Sequence, residues 1–244
     1  MMDERLKKIV DETDNIVFFG GAGVSTESNV PDFRSKDGLY NAQEKYGYRP
    51  ETMLSHSFYE KHTKTFFEYY KENLIHTEAK PNDAHKALAK LEKMGKMKAV
   101  VTQNIDGLHQ AAGSKNVFEL HGTVHKNHCT KCGKFFDLDY IMNEDNCKSS
   151  IPYCPCGGII KPDVVLYEEA LDDLTVNGAV QAIRNADVMI VGGSSLVVYP
   201  AAGLINYFKG SHLVLINRSP TPYDSMADLV INNTPIGQVL KLDD

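Results

Sequence analysis

Five cysteines crowd into residues 129–156 of this 244-residue chain, as Cys129-x-x-Cys132, Cys147 and Cys154-x-Cys156. Two short cysteine pairs separated by 21 residues have the spacing of a zinc ribbon. Four thiolates close a tetrahedral shell and leave no position for a substrate, so the expected zinc is structural. The second pair is one residue tighter than C-x-x-C, which leaves Cys147, His125 and His128 as substitutes. Gly133, Gly157 and Gly158 sit where zinc knuckles turn. Metal binding would fold a segment too small to bury a core of its own.

A second group of residues suits a phosphate-bearing ligand. Gly20, Gly21 and Gly23 stand directly behind the apolar run Ile16–Phe19, with Ser25 and Thr26 after them. Glycines let the backbone turn sharply and approach a ligand. Ser25 or Thr26 can cap a short helix whose N–H groups point at an anion. The dinucleotide fingerprint G-x-G-x-x-G is met in part, because Thr26 holds the third glycine position. No acidic residue ends a second strand about 20 residues on; Pro31-Asp32-Phe33-Arg34 arrives instead, and Arg34 offers a phosphate contact. Gln103, Asn104 and Asp106 bring amide and carboxylate partners for sugar hydroxyls and an amide. His121, followed by Gly122, offers an imidazole that takes a proton near neutral pH.

These residues need a frame. Four apolar residues in a row at 16–19 read as a buried strand of a parallel sheet. Further strands are expected at 97–102, 117–120, 163–167, 188–191, 213–216 and 229–231. Helices are expected at 3–13, from Asn82 as N-cap to Gly95, at 174–185, and from Pro200 to about Phe208. His85, on the second of these, is read as structural. Residues 35–80 carry no strand signal and read as a helical insertion, with Phe58, Tyr59, Phe66, Phe67 and Tyr70 as local core. Strand–helix alternation resumes after each insertion. The fold class is therefore α/β: a Rossmann-like parallel sheet with helices on both faces, plus a small zinc-ribbon and helical domain built from two insertions. Residues 1–34, 81–124 and 161–244 make the first domain, and 35–80 with 125–160 the second.

The formal net charge is −6. That argues against nucleic acid held by phosphate contacts and suits basic peptides. The longest apolar stretch near the N-terminus is too short to span a membrane, and the charged start MMDERLKKIVDET lacks a signal-peptide core. The expected location is the cytoplasm, where clustered cysteines favour a metal over disulfides.

Gly21-Ala-Gly-Val-Ser-Thr26, Pro31-Asp-Phe-Arg34, Gln103-Asn-Ile-Asp106, His121-Gly122 and the paired cysteines occur in sirtuin order. Over nearly its full length the chain resembles a bacterial-type sirtuin, an NAD-dependent protein deacylase. The resemblance implies that Ala22, Gly23, Thr26, Phe33 and Arg34 line the NAD site beside a mobile loop. It implies that Gln103 meets the ribose, that Asn104 orders ribose or water, and that Ile105 and Asp106 hold the nicotinamide amide. Ser194, Ser195 and Asn217 match adenosine-side contacts, and His121 matches the catalytic base. An acetyl-lysine peptide would add as a strand between Val164–Glu168 and Gly193–Tyr199. The sequence departs from the family's usual Phe-Gly-Glu at Tyr167-Glu168-Glu169, and has Gly193-Ser194-Ser195 where Gly-Thr-Ser is common. The Tyr-x-x-Arg pair of desuccinylating sirtuins is missing from residues 66–75, and Glu68 and Glu72 would repel an acidic acyl group. The implied reaction transfers acetyl from lysine to ADP-ribose and releases nicotinamide. Mono-ADP-ribosyl transfer uses the same first bond cleavage and is the alternative. A non-catalytic NAD-sensing adaptor and a nicotinamide dehydrogenase are weaker readings: the first is opposed by His121, Asn104 and Asp106 together, the second by the absent third glycine and ribose acid.

Overall fold

The computed structural model describes residues 2–32 and 43–242. Six parallel strands form the main sheet: β1 Ile16–Gly20, β2 Met97–Thr102, β3 Val117–Glu119, β9 Val188–Gly192, β10 His212–Asn217 and β11 Leu229–Asn232. The five strands between β3 and β9 in the chain form a smaller sheet and a hairpin. The order is β11-β10-β9-β1-β2-β3. From β1 the chain winds outward to β2 and β3, then returns to β1's other side and winds the opposite way. Strand order thus reverses beside β1, and the crevice past the carboxyl ends of such strands is where open α/β sheets bind ligands.

Both sheet faces are covered, so the strands are apolar along their middles, as in β1 and β9, where every residue is buried. Ile16, Phe18, Val100, Ile190, Val214 and Ile216 face one core with the helix Asp83–Lys93. Val17, Phe19, Ala99, Val101, Met189, Val191 and Leu215 face the other with the helix Asp173–Asn185. The expected strands at 16–19, 97–102, 117–120, 188–191, 213–216 and 229–231 and the expected helices up to residue 185 are all present within a residue or two. Past Pro200 the chain forms a 3₁₀ helix, Ala201–Tyr207.

A third core lies apart from the sheet. It joins Met53, Phe58, Phe66, Phe67, Tyr69 and Tyr70 from the helices Pro50–Met53, His56–Lys61 and Thr63–Asn73 to Cys129, Phe136, Ile141, Cys154 and Ile160. The aromatics of residues 58–70 are core, as expected. Against them lies an antiparallel sheet of β4 Gly122–Cys129, β5 Phe135–Phe136 and β8 Ile160–Val164 in the order β5-β4-β8. A hairpin, β6 Cys147–Lys148 and β7 Ile151–Pro152, adjoins it. The strand expected at 163–167 lies instead at 160–164. Val164 and Leu166 are apolar because they are buried in this core, whereas pairing with β4 ends at Gly122. Among the described residues no helix is long and apolar enough to cross a membrane.

Candidate functional site

The two glycine turns meet at the reversal point. Gly20 ends β1 opposite Gly192 of β9 and Thr102 of β2. Gly21 N–H donates to Gly192 O at 3.1 Å, and Gly23 N–H to Gly193 O at 2.8 Å. A Cβ on Gly21 or Gly23 would sit 2.8 or 2.7 Å from Gly193 backbone. The glycines are thus required first by each other: the turns pack backbone to backbone and form the floor of the crevice. No capped helix follows. Residues Ala22–Val24 and Thr26–Ser28 form two 3₁₀ turns, and neither Ser25 nor Thr26 caps a helix N-terminus. Thr26 Oγ1 donates back to Gly23 O at 2.9 Å. Asn82, the cap of Asp83–Lys93, reaches across to Val24 O at 2.8 Å and Ser28 Oγ at 2.9 Å, which fixes the turn to the sheet.

Ser25 turns inward. It is buried, and its hydroxyl donates to Asp106 Oδ2 at 2.6 Å and accepts from Asn104 Nδ2 at 3.0 Å. Asp106 Oδ1 accepts Leu108 N–H at 2.9 Å. Gln103 Nε2 donates to Ser194 Oγ at 3.1 Å, and Asn217 Nδ2 donates to Ser194 O at 3.0 Å. His121 stands at the end of β3, half-buried, with Nδ1 3.0 Å from Gln103 O. A carbonyl only accepts, so Nδ1 carries a proton, and in the neutral imidazole the lone pair is on Nε2. Gly122 then turns the chain: at φ +73° it brings its Cα side so close to Asp163 O that a Cβ would lie 1.8 Å away. The structure therefore gathers Ala22, Gly23, Thr26, Gln103, Asn104, Ile105, Asp106, His121, Ser194, Ser195 and Asn217 at the carboxyl ends of β1, β2, β3, β9 and β10. Phe33 and Arg34 lie outside the described residues. Ser25 escaped the sequence reading, because a serine behind a glycine turn reads as a cap.

The four thiolate ligands come together as the cysteine spacing predicts. The Sγ atoms of Cys129, Cys132, Cys154 and Cys156 all lie within 4.8 Å of one another. Cys129–Cys156 is 3.5 Å and Cys132–Cys154 is 3.7 Å. A tetrahedron with zinc–sulfur bonds of about 2.3 Å has edges of roughly 3.8 Å, so the cluster fits the ion. The substitutes do other work. Cys147 Sγ accepts from Lys71 Nζ at 3.2 Å, His125 Nε2 lies 3.1 Å from Asp106 O, and His128 Nδ1 lies 2.8 Å from Asp163 Oδ1.

A family model described as the Sir2 family matches residues 21–200. The chain belongs to the Sir2 family. It is similar to proteins called NAD-dependent protein deacetylase from Clostridium acetobutylicum, 62% identical over 97% of this chain and 95% of that protein, and from Clostridium tetani, 62% identical over 98% and 96%. Among solved structures it resembles a Sir2–p53 peptide–NAD+ complex, with TM-score 0.85 and 36% identity, covering 98% of this chain and 96% of that one. A Sir2 with deacetylated p53 peptide and 3'-O-acetyl ADP ribose gives TM-score 0.87 and 37% identity at the same coverage.

Behind this Sir2 crevice two buried histidines face each other. His85 and His109 stack edge to face at 4.7 Å. His85 Nε2 and both ring nitrogens of His109 are buried without a hydrogen-bond partner. Burial pushes both pKa values below the ordinary histidine range; the Asp106 charge partly opposes this for His85, and His85 adds to it for His109. The unfolded chain takes up these protons near pH 6.5, while the folded chain resists them. Stability from this pair is therefore present above about pH 6.5 and is lost as pH falls, by up to about 1.4 kcal/mol per unit for each histidine. Urea midpoints of His109→Leu should accordingly fall less between pH 7 and pH 5 than those of the parent chain. An equal fall in both would refute the assignment.

Proposed function

We propose that this chain is an NAD-dependent protein lysine deacetylase, which transfers acetyl to ADP-ribose and releases nicotinamide. The observation that carries the reading is the placement of His121 on the Gln103 carbonyl, beside the Ser25–Asn104–Asp106 network at one crevice. NAD supplies the electrophile: loss of nicotinamide opens the ribose C1′ to the acyl oxygen of the lysine amide, and the sugar carries the acyl group away. Around that chemistry the side chains have separate tasks. Asp106, held by Ser25 O–H and Leu108 N–H, presents its end of the crevice to the nicotinamide amide with Ile105. Asn104, steered by the Ser25 hydroxyl, orders a ribose hydroxyl or water. Gln103, tied to Ser194, faces the ribose, while Ser194, Ser195 and Asn217 serve the adenosine half. Arg34 and Phe33 belong to the same set. His121 Nε2 takes a proton from a ribose hydroxyl, whose oxygen attacks the acyl carbon; the carbon–nitrogen bond to lysine then breaks, the amine leaves with a proton, and water adds to the acyl carbon to release O-acetyl-ADP-ribose. Zinc on the four cysteines holds the small module together and takes no part in the chemistry.

The small module comprises 35–80 and 125–160, set into a Rossmann-like domain of 1–34, 81–124 and 161–244. The peptide enters as a strand between Val164–Glu168 and Gly193–Tyr199, and the enzyme works in the cytoplasm. Incubation with NAD and an acetyl-lysine peptide should yield O-acetyl-ADP-ribose and free lysine by mass spectrometry. ADP-ribose attached to protein, with no deacetylated peptide, would overturn the reading in favour of ADP-ribosyl transfer.

Neutral acyl groups should be preferred, though for a narrower reason than the sequence suggested. Glu68 pairs with Lys64 at 3.7 Å and Glu72 with Lys45 at 2.6 Å, so a lysine offsets each of these charges. What remains is the missing arginine: Tyr69 and Tyr70 are buried in the aromatic core, and residues 66–75 hold no arginine to receive a carboxylate. An unpaired carboxylate in an apolar slot costs a few kcal/mol. On that basis kcat/KM for succinyl-lysine should fall at least about a hundredfold below that for acetyl-lysine. Comparable rates for the two peptides would count against this.

A further inference from the structure

The segment after β8 departs from the usual family pattern at Glu168, which stands where glycine is common. Its φ is +76°, a left-handed conformation that residues bearing a Cβ rarely adopt. The carboxylate accounts for its tolerance there. Glu168 Oε2 accepts Ser57 N–H at 2.9 Å, and Oε1 accepts Ser57 O–H at 2.9 Å. Ser57 lies in the first turn of the helix His56–Lys61, whose N–H groups need partners from outside the helix. His56 N–H goes to Tyr167 O at 3.0 Å, Ser57 N–H to Glu168, and Phe58 N–H to Ser55 Oγ at 3.2 Å. Two of the three caps therefore come from one loop of another part of the chain. That loop places an anion at the positive end of the helix.

Glu169 completes the attachment. Its carboxylate holds His56 Nδ1 at 2.8 Å, Lys161 Nζ at 3.2 Å and Leu166 N–H at 2.8 Å. Tyr167 N–H donates to Leu54 O at 2.9 Å, and Val165 N–H to His121 O at 2.9 Å. The loop is thus joined on one side to the helical insertion and on the other to the backbone of His121.

We propose that Glu168 is a positioning residue for the peptide substrate: by capping the helix His56–Lys61 it locks residues 164–169 in the shape that accepts the peptide strand. This rests on the reading that these residues pair with an acyl-lysine peptide. A glycine here would adopt the same φ freely and would leave the loop held by the Tyr167 backbone and Glu169 alone, with residue 168 to be ordered when the peptide arrives. With glutamate the ordering is complete beforehand, and preorganisation shows as tighter binding.

The test uses the full chain and an acetyl-lysine peptide with uncharged flanks. Glu168→Ala keeps the left-handed requirement and removes the carboxylate; Glu168→Gly removes both the strain and the carboxylate. In each, peptide KM should rise roughly fivefold to twentyfold with kcat and the KM for NAD within about twofold, as expected for lost preorganisation. Glu168→Gln keeps an acceptor for Ser57 and should recover most of the loss. Amide hydrogen exchange at 166–169 without peptide should quicken in the alanine and glycine variants. An unchanged peptide KM in both overturns the proposal. So does a raised KM with unchanged exchange, which would make Glu168 a direct peptide contact. If the parent chain does not deacetylate the peptide at all, the functional reading fails instead.

Discussion

His121→Ala is expected to abolish measurable deacetylation while NAD still binds. A general base contributes typically 10² to 10⁴ in rate, and alanine leaves nothing at that position to take the proton. The backbone should survive the change, because the His121 carbonyl, which accepts from Val165 N–H, is untouched by the substitution. The crevice floor, made by Gly21, Gly23 and Gly193, lies in the turns after β1 and β9. Turnover measured by product mass should therefore fall at least about a hundredfold, and calorimetric NAD affinity should stay within a few-fold of the parent. Near-normal deacetylation by the variant would remove His121 from its assigned role. Loss of NAD binding along with turnover would make it a structural residue.

The contrast between what the sequence disclosed and what it concealed follows from range. Ile16–Phe19 announces itself because a strand buried on both faces has no polar side to break the run, and the structure buries all four residues completely. Cys129, Cys132, Cys154 and Cys156 are legible because a tetrahedral ion imposes a local spacing. By contrast, β4 carries His125, Lys126, Asn127, His128 and Cys129, a pattern with no apolar alternation. Its partner β8 lies some thirty residues on, so nothing local marks either edge of the pair. Val164 to Tyr167 misled for a related reason. Apolar side chains report burial, and here burial comes from the helical insertion rather than from a strand neighbour. Ser25 was hidden by the shape of the chain after the glycines: a helix start was expected, but the tight return forms 3₁₀ turns and sends the hydroxyl to Asn104 and Asp106. Glu168 read only as a departure from the usual Phe-Gly-Glu, and its use as a helix cap depends on Ser57, 111 residues away.

Removing zinc should dismantle the small module and silence the enzyme, although no thiolate touches the crevice. The reason is where the ligands sit. Cys129 and Cys154 belong to the same buried cluster as Phe66, Tyr70, Ile141 and Ile160, and Cys129 ends the strand β4 whose first residue is Gly122, next to His121. Four thiolates brought within 4.8 Å repel one another once ionised, so without a cation the cluster opposes the fold that it otherwise secures. Structural zinc sites of this kind contribute about 10–16 kcal/mol in small peptides, as much as the whole net stability of a typical domain. Cys154→Ser should therefore purify with less than one zinc per chain, melt at lower temperature and lose deacetylation. Cys147→Ser should keep its zinc and its activity, because Cys147 faces Lys71 rather than the cluster. Chelation of the parent chain should release one zinc and reproduce the Cys154→Ser melt. A Cys154→Ser protein that retains one zinc per chain and melts like the parent would show that the ion is not held by these four sulfurs.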